Sequence, residues 1–63
     1  MNDQESELEV IGETEEFVVW RSSEEEGYVY HVELGGITLH LSSEEWDELV
    51  LLIKSATQAE GNP

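Results

Sequence analysis

The segment "YVYHVELGGITLHL", Tyr28 to Leu41, constrains this chain more than any other. Apolar and polar residues alternate on either side of Gly35-Gly36. An alternation of period two belongs to a half-buried strand. A Gly-Gly pair between two such runs supplies the positive φ of a two-residue hairpin turn. The spacing therefore predicts strands over Tyr28–Leu34 and Ile37–Leu41, with Tyr30, Val32, Leu34, Ile37, Leu39 and Leu41 facing a core. Counting outward from the turn fixes the register. Leu34 then opposes Ile37, and His31 opposes His40 on the other face.

A helix start follows directly. Ser42-x-x-Glu45 has capping-box spacing, and Leu41 and Trp46 stand at the two positions of a hydrophobic staple. Acidic residues crowd the first turns, where the helix dipole favours them. Trp46, Leu49, Val50 and Ile53 recur at i, i+3, i+4 and i+7, the pattern of a core-facing stripe. The helix is expected to end near Thr57 or Gln58. Upstream, "FVVWR" (Phe17–Arg21) is rich in β-branched and aromatic residues and reads as a strand. Either Phe17 and Val19 or Val18 and Trp20 face the helix; the pattern leaves both open. "LEVIG" (Leu8–Gly12) reads as a short first strand, and "SSEEEG" (Ser22–Gly27) as a loop. The expected fold class is α+β: an antiparallel β-meander of three to four strands packed on one C-terminal α-helix. Residues 1–7 read as a disordered acidic tail, 8–58 as one small domain, and 59–63 as a frayed C-terminus.

The charge balance narrows the function. Sixteen Asp and Glu stand against one Arg and one Lys, a net charge of −14 over 63 residues. Phosphate backbones and anionic membrane surfaces are bound by Lys and Arg, so neither is an expected partner. No cysteine is present, which removes disulfides and thiolate metal sites. The longest apolar run, Leu49–Ile53, is far too short to span a membrane. The "MNDQESELE" stretch lacks the apolar segment of a signal peptide. A soluble, cytoplasmic protein is expected. Self-repulsion at this charge density opposes a compact state in dilute buffer, whereas at 1 M salt the Debye length falls to about 3 Å. In composition the whole chain resembles the short, highly acidic proteins of extremely halophilic archaea. That resemblance implies adaptation to salt and carries no catalytic motif.

Candidate chemistry centres on the histidines. Two opposed imidazoles can share a metal ion, with Glu33 as a third ligand, but structural zinc takes four ligands and the chain has no Cys and no third His. The expectation is therefore that His31 and His40 fill ordinary sheet positions, with a metal-responsive regulator as one alternative. No nucleophile elbow, phosphate loop or paired-carboxylate pocket is legible. Ser22, Ser23, Ser42 and Ser43 read as loop or cap serines. No enzyme, cofactor or small-molecule substrate is expected. The outer sheet face around Trp20, Val29, His31 and His40, with Leu51 on the far side of the helix, is the expected contact surface. The preferred reading is a protein-interaction module, binding a protein partner or itself as a homodimer through that face. The other alternative is an acidic decoy that occupies a basic nucleic-acid-binding protein.

Overall fold

A computed structural model describes residues 8–61. Residues 1–7, read from the sequence as a tail, and 62–63 lie outside the described residues. The chain forms β1 (Leu8–Glu13), β2 (Phe17–Glu24), β3 (Gly27–Leu34), β4 (Ile37–Ser42) and α1 (Ser43–Ala59). The four strands make one antiparallel sheet in the order β1-β2-β3-β4. This is the expected α+β meander with a C-terminal helix.

Each turn follows from its residues. The β3–β4 hairpin pairs Leu34 with Ile37 and His31 with His40, the register counted from Gly35-Gly36. Gly35 has φ 68°, while Gly36 is not in the positive-φ region, as a type II′ turn requires. The segment Ser22–Gly27 is not the expected loop. β2 runs on to Glu24, with Ser22 opposite Val29 and Ser23 opposite Tyr28, and only Glu25 and Glu26 turn the chain. Gly27, at φ 128°, closes that turn. Ser22 keeps the ladder because its hydroxyl finds partners there, as described below. A bulge between Val10 and Gly12 breaks the β1–β2 register.

The capping box forms as its spacing predicts. The Glu45 backbone N–H donates to Ser42 Oγ at 3.2 Å, and the Ser42 backbone N–H donates to Glu45 Oε1 at 2.9 Å. The helix runs past Gln58 to Ala59, with Glu60 as its C-cap. No helix among the described residues is long and apolar enough to cross a membrane.

Register settles the "FVVW" strand. Phe17 and Val19 oppose Leu34 and Val32 on the helix side, and Val18 and Trp20 oppose Glu33 and His31 on the outer face. The core is smaller than the stripe pattern implies. Tyr30 and Val32 are the buried apolar residues among those described, and α1 contributes no buried residue. Ile37, Leu39 and Ile53, expected in the core, are exposed. Width leaves β1 and β2 uncovered, while Ile37 and Leu39 lie on the edge strand β4. Four strands span roughly 19 Å, whereas one helix with its side chains covers about 10–12 Å. α1 lies against β3 and β4 and does not reach β1 or β2. Its main anchor is the Trp46 ring, parallel to Tyr30 within 1° at 4.8 Å between centroids.

Candidate functional site

Two surfaces carry the candidate functional residues. The first is the outer face, where the hairpin register sets His31 against His40. Their Nδ1 atoms stand 2.8 Å apart, with the rings near perpendicular. Two nitrogens bound to one tetrahedral Zn²⁺ stand roughly 3.3 Å apart at ordinary Zn–N lengths. The pair is thus joined by a hydrogen bond rather than poised around an ion. Glu33, expected as a third ligand, is not brought to it. Among the described residues no group of three or more His, Asp or Glu is placed to hold a metal ion.

The direction of that hydrogen bond follows from its neighbours. Ser22, buried beneath the pair, donates its one hydroxyl proton to Glu24 Oε2 at 2.9 Å. An ionised carboxylate can only accept. Ser22 Oγ must therefore accept at its 3.0 Å contact with His31 Nε2, which makes His31 Nε2 the donor. A neutral His31 then offers a bare Nδ1, so His40 Nδ1–H is the donor between the rings. Trp20 stacks on His31 at 5.4 Å and 18°, completing a chain of contacts from β2 across β3 to β4. The sequence placed His31, His40 and Trp20 on this face but did not connect Ser22 and Glu24 to them. Val29 is half-buried on the same face.

On the helix side, Arg21 donates to Glu9 Oε1 and lies 4.3 Å over the Tyr28 ring. The Tyr30 hydroxyl, and after it Glu9, hold the Arg21 guanidinium pKa above its ordinary value. This fixes the one arginine to its own sheet.

The second surface is the strip of sheet that α1 leaves bare. It forms an open groove of about 420 Å³ between α1 and β2, floored by Phe17, Val19 and Val32 and walled by Trp46, Leu49 and Ile53. Phe17 is 50% exposed and Ile53 55%. Glu13 and Lys54 are the charged residues on its lining; Lys54 stands on the helix wall, while Glu13, opposite Val18, directs its side chain to the outer face. In a chain with sixteen acids, so apolar a surface is unusual. Leu51 and Leu52 project from the other flanks of α1 and are 62% and 63% exposed. The sequence held a signal for this groove: the run Leu49–Ile53 wraps apolar residues around the helix, more than one sheet contact can cover.

No family model, curated protein or solved structure matches the chain in comparisons with known proteins.

Proposed function

We propose that the chain is a protein-interaction module that works in a saline medium, with the α1–β2 groove as its contact surface. The groove carries this reading. It is apolar, open and poor in charge on an otherwise acidic molecule, and the centres of protein interfaces are depleted of charge in the same way. The outer face is a less continuous surface. There Trp20 is stacked on His31, and the histidines are engaged with each other and with Ser22. The acidic exterior suits concentrated salt, where repulsion between like-charged partners is screened within about 3 Å.

An apolar fluorescent dye tests the groove itself. Below the concentration at which the protein associates, the dye should bind the folded chain and brighten. Ile53→Glu should abolish the signal without changing the far-ultraviolet circular dichroism. A dye signal unaffected by Ile53→Glu, or absent from the folded protein, would remove the groove from consideration.

A further inference from the structure

We infer that the occupant of the groove is a second copy of this chain, and that two copies form a sandwich with both helices in the middle layer. The inference rests on the reading of the groove as a contact surface and adds the identity of the partner. Three observations point to it.

The first is the helix. Leu51, Leu52 and Ile53 are each more than half exposed, on three different sides of α1. The turn Leu49–Ile53 is apolar all round, and apolar surface of that kind belongs in an interior. Its own sheet lies on one side only, so what is missing is a second sheet on the other. The second is the sheet. The bare half of the sheet, with Phe17 and Val19 on its floor, is the kind of surface such a helix needs. Each copy carries both the projecting leucines and the hollow that receives them. A two-fold interface requires this self-complementarity, because residue i meets j and j meets i. The third is charge. From Leu49 to Ala59 the helix has no acidic residue, and Lys54 is its single charge. Glu15 and Glu16 lie in the exposed turn between β1 and β2, at the end of the groove lined by Thr14 and Phe17. A partner helix seated there brings its Lys54 to those carboxylates, and the same contact repeats on the other side.

Complementary variants test this in about 2 M KCl. Sedimentation equilibrium of the full chain should give a mass rising with concentration from 7.2 kDa to twice that value. Leu51→Glu removes the projection and Phe17→Ser the hollow. Each alone should raise the dimer dissociation constant at least tenfold. Mixed, they should associate more tightly than either does with itself, because the heterodimer keeps one intact contact. Circular dichroism verifies folding, and Leu51→Gln is the milder substitute if Leu51→Glu unfolds. A monomer at every concentration overturns the inference; a positive dye result would then leave the groove to a different protein. A dimer that tolerates both substitutions also overturns it, since the contact must then lie elsewhere.

Discussion

Replacing Trp46 by Ala should detach the helix from the sheet. The structure gives the magnitude. Truncating a fully buried Phe or Trp to Ala costs about 3–5 kcal/mol. Trp46 is only half-buried, which brings this to about 2 kcal/mol, and the loss of the parallel stack on Tyr30 adds about 0.5–1.5 kcal/mol. A chain of this length has a total stability of roughly 3–9 kcal/mol at typical values per residue. The substitution therefore removes between about a quarter and all of it. Urea unfolding in 2 M KCl, at a concentration below association, measures the change. Helix content is followed by circular dichroism at 222 nm, and Trp20 is the remaining indole to report on the sheet. Trp46→Phe, which keeps an aromatic partner for Tyr30, should cost less than half as much. A Trp46→Ala variant within about 0.5 kcal/mol of the parent would refute the claim that this stack anchors α1, because surface changes stay within that range.

Three other outcomes follow from local geometry. Ser42→Ala should destabilise the fold by about 1 kcal/mol in the same urea assay, since it removes the acceptor for the Glu45 N–H. Gly35→Ala should cost about 1–2 kcal/mol because φ 68° places its Cβ against the backbone, while Gly36→Ala, with open space around it and no positive φ, should be near neutral in thermal melts. Long-range ¹H–¹⁵N spectra above pH 8 should show His31 protonated at Nε2 and His40 at Nδ1. Ser22→Ala should remove the preference at His31. The opposite tautomers in the parent protein would break the assignment of Ser22 as acceptor.

Most of the fold was legible because its rules are local. The Gly-Gly turn and the alternation around it fixed the β3–β4 register, and with it the His31–His40 opposition, to the residue. Ser42 and Glu45 marked the start of α1 through two short-range hydrogen bonds. The end of β2 was not legible. "SSEEEG" has loop composition, yet Ser22 continues the strand because Glu24 and His31 satisfy its hydroxyl, a tertiary effect that no propensity carries. The extent of the core is not legible in the sequence for a related reason. A stripe shows which way a helix faces, not how much of a sheet it covers. Phe17 is exposed because four strands are wider than one helix and α1 does not reach β2, whereas Ile37 and Leu39 are exposed at the edge strand β4. The sequence did show a surplus of apolar residues, Leu51 among them, but the two faces of Phe17–Trp20 could not be told apart before the register was known. The hollow beside Phe17 and Val19 is therefore legible only in the structure.

Methyl relaxation by a soluble paramagnetic agent separates those two surfaces most directly. In dilute protein, the methyl groups of Val19, Leu51 and Ile53 on the helix side and of Val10 on the outer face should all be accessible. On concentration in 2 M KCl, Val19, Leu51 and Ile53 should become protected, and Val10 should stay open. Protection of Val10 with Leu51 and Ile53 still accessible would place the contact on the outer sheet face and contradict the account.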